Sequence, residues 1–284
     1  MVFVFVHLGC GLLRKVVEDA LRAARDELLD VLRRGSAAEA LGRGFYGDIS
    51  YRGDVVCENA IVEVLRSRLD NATIVSEEGG IMSGSAGRLW ALVDPVDGSA
   101  NMARGINFYS SGLAIAMGPS VRDVVCSGVI DHVSGELFVR EGDYVSHPPS
   151  KMLEKEGEQD LDGARVFFHH ASLKRGPPLR DSIIKITERL SFFRVMGSAL
   201  LEMCLAGAGR SDGYLCLTTE LRLMDIVPAL YFALGAGCKA ATSPSPILDD
   251  RLDSRTRYGI ILTKHQKIFE QTLSILNTRW SRLE

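Results

Sequence analysis

The segment that most constrains this chain is Trp90-Ala-Leu-Val-Asp-Pro-Val-Asp-Gly-Ser99. An uncharged apolar run there passes directly into two carboxylates, Asp94 and Asp97. A short run of this kind, closed by Pro and Gly, reads as a buried strand. Both acids then sit at its carboxyl end, where they repel each other if ionised and close. If they face one cleft, something positive must stand between them. Pro95 fixes φ and donates no hydrogen bond, which stiffens the turn. Gly98 lets the backbone approach a ligand closely. Ser99 opens a short helix whose first N–H groups suit a phosphate. Metal ligands, a hydroxyl and an anion site therefore fall within Asp94–Ser99.

A second acidic stretch, Ser76-Glu77-Glu78-Gly79-Gly80, precedes that strand. Adding Glu77 and a distant Asp would gather carboxylates whose all-oxygen ligation suits Mg²⁺, with Mn²⁺ the alternative, and not zinc. The six cysteines have no CxxC and no Cys/His spacing for zinc. They read as buried thiols of a reducing compartment, which points to the cytoplasm.

The chain has 284 residues, 46% of them apolar and 24% charged, which excludes disorder over most of its length. Its net charge of −3 leaves no basic excess for a nucleic-acid duplex. The apolar start, Met1 to Cys10, has no basic leader and is too short to span a bilayer, so it reads as an ordinary extension and no membrane segment is expected.

Helical spacing of Val16, Val17, Ala20, Leu21, Ala24, Leu28 and Val31 predicts an amphipathic helix over 13–32. Residues 35–53 read as a mobile connection, and 54–69 as a second helix. Strands are predicted at 73–76, 88–93, 109–117, 123–130 and 136–140, in an antiparallel sheet. A polar seam at 141–163 separates this N-terminal α+β half (1–145) from a C-terminal α/β half (160–284). In the latter, strands at 165–168, 192–195, 213–217 and 259–263 alternate with helices at 180–190, 198–207, 225–234 and 264–279. Asp54 reads equally as the N-cap of its helix or as a site residue, with Asp48 its rival. His169 and His170 read as a surface pair, and Glu78 as an outer carboxylate.

Together these features resemble the inositol monophosphatase family of magnesium-dependent, lithium-sensitive phosphatases. The family pattern is an acidic pair, then Trp-x-x-x-Asp-Pro-[Ile/Leu/Val]-Asp-Gly-[Thr/Ser]-x-Asn, then a distant Asp opening a helix. Here it is met by Glu77-Glu78, by Trp90 to Asn101, and by Asp225 to Gly237. Met102, Met224 and Pro228 depart from it without removing a metal ligand. The segment ending in Met224-Asp225 is similar to archaeal members that act on both inositol phosphate and fructose 1,6-bisphosphate.

The resemblance implies an α+β fold, a layered αβαβα sandwich, and a homodimer. It implies two or three Mg²⁺ ions: one on Glu77, Asp94 and the Val96 carbonyl, one on Asp94, Asp97 and Asp225, and a looser one near Glu77 and Asp54. Ser99 and Asp54, with Glu77, would orient the attacking water, and Gly98 and Ser99 would bind phosphate. Gly197, Ser198 and Ala199, with Asp97, would meet substrate hydroxyls. Arg194 and Arg222 are the candidate cations for a second phosphate. The implied reaction is Mg²⁺-dependent hydrolysis of inositol or sugar phosphate monoesters. The rival substrate is 3′-phosphoadenosine 5′-phosphate, and a rival of another class is a non-catalytic scaffold.

Overall fold

The computed structural model describes residues 11–69, 71–84, 88–147, 158–169, 177–276 and 279–283. Helix α1 (Leu12–Arg33) is followed by a small hairpin, β1 (Ala40–Arg43) and β2 (Ile49–Tyr51), and by helix α2 (Arg52–Arg68). Strands β3 (Thr73–Ser76), β4 (Gly80–Met82) and β5 (Trp90–Asp97) come next, then the one-turn helix α3 (Ser99–Ala103). Strands β6 (Ser110–Ala116), β7 (Val124–Asp131), β8 (Leu137–Glu141) and β9 (Tyr144–Val145) complete the first half. The second half begins with β10 (Arg165–Phe168), α4 (Pro177–Thr187), β11 (Phe192–Arg194) and α5 (Ala199–Gly207). It continues through β12 (Gly213–Leu221), α6 (Val227–Gly235), β13 (Lys239–Ser243), β14 (Tyr258–Thr263), α7 (Gln266–Ile275) and β15 (Ser281–Leu283).

Besides the β1–β2 hairpin, the described residues form two larger sheets, ordered β4-β3-β5-β6-β7-β8-β9 and β11-β10-β12-β14-β13-β15. Side chains alternate across each strand, so every buried strand feeds two layers. In β5, Ala91 and Val93 pack with Val17, Leu21 and Leu28 of α1 and with Ile61 and Leu65 of α2. Leu92 points the other way, into a core shared with Leu200 and Met203 of α5 and Leu230 of α6. That middle core is closed by Tyr214, Cys216, Ile260 and Leu262 of the second sheet. Their neighbours Leu215 and Ile261 face outward onto Ile186 of α4 and Ile268 of α7. The order helix pair, sheet, helix pair, sheet, helix pair is the expected αβαβα sandwich. Truncating a fully buried leucine such as Leu92 to alanine is expected to cost about 2–5 kcal/mol.

Several expectations need correction. The first sheet is mixed, because β3 runs parallel to β5. The stretch 35–53 contains the β1–β2 hairpin, whose strands of four and three residues are too short to show an alternation. Strands β4, β13 and β15 were not expected; they are short, and each gains its backbone partners from a neighbouring strand. Pro228 lies in the first turn of α6, where a missing N–H costs nothing. Met102 and Met224 are both buried. Five cysteines are free and buried, and Cys10 lies outside the described residues. No described helix is long and apolar enough to cross a membrane.

Candidate active site

Residues three apart on a regular strand point to opposite faces, so Asp94 and Asp97 share a cleft only if the strand is irregular. It is. Asp94 pairs with Gly112 and Asp97 with Ser110, three steps on β5 against two on β6. The extra residue is a β-bulge, which reverses the parity of the strand and brings both acids to one edge. Gly98 then adopts φ +94°, and a Cβ there would meet the Gly197 carbonyl at 3.0 Å. Only glycine fits that turn and that contact.

Glu77 stands on the β3–β4 turn, and a residue not foreseen from the sequence holds that turn. Glu58, buried in α2, accepts hydrogen bonds from the Ser76 hydroxyl, from Glu78 N–H at 3.0 Å and from Gly79 N–H at 3.3 Å. Glu78 itself is half-buried beside Ser50 and Gly44. Asp225 precedes α6 and lies outside it, since the helix begins at Val227. Its Oδ2 accepts the Arg222 N–H at 2.7 Å. Glu77, Asp94, Val96, Asp97, Ser99 and Asp225 all line one cleft of about 820 Å³.

Burial raises the pKa of all four of these acids. Asp97 is lifted to about 7 by burial, against hydrogen bonds from Ser198 and Leu200 that lower it. Glu77 and Asp94 are pushed well up, by burial first and then by Asp225 and Glu77 respectively. Asp225 is raised by burial. Such a cluster keeps its charge only beside a cation. Among the described residues no three acidic, histidine or cysteine side chains converge as a ready-made cage. One atom nevertheless marks where a cation fits. Asp94 Oδ1 is buried in the cleft wall without a hydrogen-bond partner among the described residues, a costly state for a carboxylate oxygen. An all-oxygen set around that atom suits Mg²⁺ or Mn²⁺.

Asp54 serves two roles with two oxygens. It is the third residue of α2, and Tyr51 is the N-cap. Its Oδ2 accepts the Tyr51 N–H at 2.7 Å, capping the helix from within. Its Oδ1 lies 2.7 Å from Ser99 Oγ. Asp48 is exposed and bound to Arg222, so Asp54 is the acid at the serine. Ser99 Oγ is also 2.7 Å from the Val96 carbonyl. With its single proton the hydroxyl donates to one of these at a time.

The turn Gly197-Ser198-Ala199 abuts the acidic loop, but its free groups differ from expectation. Ser198 Oγ and Leu200 N–H donate to Asp97 Oδ2, at 2.6 and 2.7 Å, and Ala199 N–H also reaches that carboxylate. The start of α5 is thus taken up by Asp97, because a helix N-terminus draws the nearest anion. Gly197 (φ +89°) and Ala199 line the cleft. Asn101 clamps the turn, donating from Nδ2 to the carbonyls of Phe108 at 2.8 Å and Met196 at 2.7 Å.

Neither expected second-phosphate cation is free for that role. Arg194 is exposed on the edge strand β11, stacked on Phe192 at 4.4 Å, and is absent from the described cleft lining. The left-handed turn at Gly197 separates it from the site despite its nearness in sequence. Arg222 does line the cleft, but its guanidinium is committed to Glu77 at 2.6 Å and to Asp48. The cations that do line the mouth are Arg43, Arg104 and Arg257, which no motif marks. His169 also lines the cleft, with Nδ1 3.3 Å from the Tyr214 hydroxyl, and so is not a plain surface residue. His170 lies outside the described residues.

The model of the inositol monophosphatase family matches residues 13–279. A fructose-1,6-bisphosphatase/inositol-1-monophosphatase of Methanothermobacter thermautotrophicus is 27% identical over 84% of this chain and 89% of its own. A Nus factor SuhB of Pasteurella multocida is 30% identical over 57% of this chain and 60% of its own. Among solved structures, extragenic suppressor protein SuhB from Bartonella henselae superposes with a TM-score of 0.75 at 19% identity. The match covers 93% of this chain and 98% of that one.

Proposed function

Because the chain belongs to the inositol monophosphatase family, and is a phosphatase at that level, we propose that it hydrolyses phosphate monoesters of inositol or sugars with Mg²⁺. The observation that carries this is Asp94 Oδ1, a buried carboxylate oxygen without a donor among the described residues, beside the Ser99–Asp54 pair. Glu77, Asp94, Asp97, Asp225 and the Val96 carbonyl would hold the ions. When bound, divalent ions supply an acidified water and neutralise phosphate charge. Ser99 and Asp54 accept hydrogen bonds from the incoming water and so aim its oxygen at phosphorus, and the Asp54 carboxylate takes the one proton it releases. The N–H groups of Ser99 and Ala100, residues that line the cleft after Gly98, receive the phosphate oxygens. Gly197 and Ala199 form the wall against which the alcohol part rests.

Myo-inositol 1-phosphate is the proposed substrate, and fructose 1,6-bisphosphate the second, since Arg43, Arg104 and Arg257 offer cations at the mouth. The exposed Phe192, Phe193 and Val195 along the edge strand support a homodimer. The free buried thiols support a cytoplasmic setting. Phosphate release should be measured with and without Mg²⁺ from both compounds and from 3′-phosphoadenosine 5′-phosphate. Release from the inositol compound only with Mg²⁺ supports the reading. Release from the adenosine compound alone overturns the substrate, and no release from any, by a folded chain, points to a scaffold.

A further inference from the structure

The bulge that gathers Asp94 and Asp97 has a physical cost: its carbonyls lose their ladder partners. Val96 O lies 2.7 Å from Ser99 Oγ, whose one proton it shares with Asp54. Pro95 O accepts a hydrogen bond from the Ser111 hydroxyl, which projects from β6 directly behind the bulge. Ser111 Oγ lies 2.7 Å from His132 Nε2. Both residues are fully buried. Neither Ser111 nor His132 is among the residues lining the cleft.

The proton directions follow from chemistry. A carbonyl only accepts, so Ser111 spends its single proton on Pro95 O. Its oxygen must then accept from His132, which requires the tautomer with hydrogen on Nε2. The other ring nitrogen, Nδ1, has no partner among the described residues. A bare lone pair tolerates that position better than an N–H would. Burial lowers the His132 pKa to about 3, in keeping with a neutral ring. His132 is fixed at its own backbone as well, because its carbonyl accepts Arg25 Nε at 2.9 Å from α1.

We propose that His132 and Ser111 are positioning residues, a relay from the His132 N–H through the Ser111 hydroxyl to the Pro95 carbonyl that sets the tilt of the metal-bearing bulge. The inference rests on reading this cleft as a divalent-cation site. Rotating the Pro95–Val96 peptide would swing the Val96 carbonyl and the flanking Asp94 and Asp97. The relay thus tunes the cation site from behind, as hydrogen-bonding partners of metal ligands do elsewhere.

The test is calorimetric titration of MnCl₂ into the intact chain and into Ser111→Ala, His132→Leu and His132→Gln. Gln keeps an N–H near the position of Nε2; Leu does not. Mn²⁺ affinity is expected to fall about tenfold in Ser111→Ala and His132→Leu. It should stay within about threefold in His132→Gln, and the double variant Ser111→Ala/His132→Leu should be no weaker than Ser111→Ala alone, because the two act in series. Wild-type affinity in Ser111→Ala, or additive losses in the double variant, would overturn the relay. If His132→Leu fails to fold, Ser111→Ala, which deletes one oxygen, decides the matter. A wild-type chain that takes up no Mn²⁺ overturns the reading of the site itself, an outcome separable from failure in the variants alone.

Discussion

Ser99 Oγ stands 2.7 Å from Asp54 Oδ1 across 45 positions of sequence. Helix α2 brings one partner and the first residue of α3 the other, and the acid is anchored by its second oxygen to the Tyr51 N–H. Burial raises the Asp54 pKa to about 7. A hydroxyl and a carboxylate held this rigidly can accept hydrogen bonds from one water, whose released proton goes to the carboxylate. Asp54→Asn keeps the helix cap but loses the base, and Ser99→Ala loses the hydroxyl. Each is expected to lower kcat about 10²- to 10⁴-fold with KM little changed. Steady-state kinetics check this; near wild-type turnover in either variant would remove the pair from the mechanism.

Asp94 gives a prediction in which stability and metal response move in opposite directions. Its buried oxygen, without a partner among the described residues, is a liability in the metal-free chain. Asp94→Asn is therefore expected to raise Tm in chelator at pH 8. Saturating Mg²⁺ at a hundred times Kd stabilises by about 2.7 kcal/mol. The wild type should gain several degrees from it and the variant almost none. Equal gains, read by calorimetric melting, would take Asp94 out of the metal set.

How much of this was legible in the sequence depends on the distance over which each feature is encoded. Trp90–Ser99 announced a strand ending in acids, and the helical stripe of α1 was plain in Val17, Leu21 and Leu28. The bulge was not, since nothing in Asp-Pro-Val-Asp states that Asp94 opposes Gly112 and Asp97 opposes Ser110. Arg222 and Glu77 are 145 positions apart, and only the packed second half brings them together. Glu58 and Ser111 carry no motif at all, because their roles are hydrogen bonds to whatever the fold places beside them. Arg194 was misplaced for the converse reason: sequence proximity to Gly197 says nothing once that glycine turns the chain.

Glu202 predicts a pH effect on stability. It is buried at the start of α5, accepts the Met196 N–H at 2.8 Å, and has its pKa raised to about 8 by burial. Between an ordinary carboxyl value near 4.5 and about 8, the folded chain holds this proton and the unfolded chain does not. Stability from this group is complete below that window and is lost as pH rises through it. Glu202→Gln keeps the acceptor and removes the titration. Its Tm should fall less than that of the wild type from pH 5.5 to 8.5, by about a few degrees. Parallel curves would show that the group does not titrate.

Gly98 predicts a backbone effect. Its φ of +94° and the 3.0 Å approach to the Gly197 carbonyl leave no room for a methyl group. Gly98→Ala is expected to cost about 1–3 kcal/mol and to weaken substrate binding through the displaced start of α3. A melting curve and KM unchanged from wild type would contradict this.

Crystallography with Mn²⁺ tests most directly for a cation held by Asp94 of β5. Crystals soaked in MnCl₂ should show an anomalous peak about 2.0–2.3 Å from Asp94 Oδ1, with a Glu77 or Asp225 oxygen in the same coordination sphere. A fully ordered site with no peak, Asp94 Oδ1 still without a partner and Arg222 still holding Glu77, would contradict it.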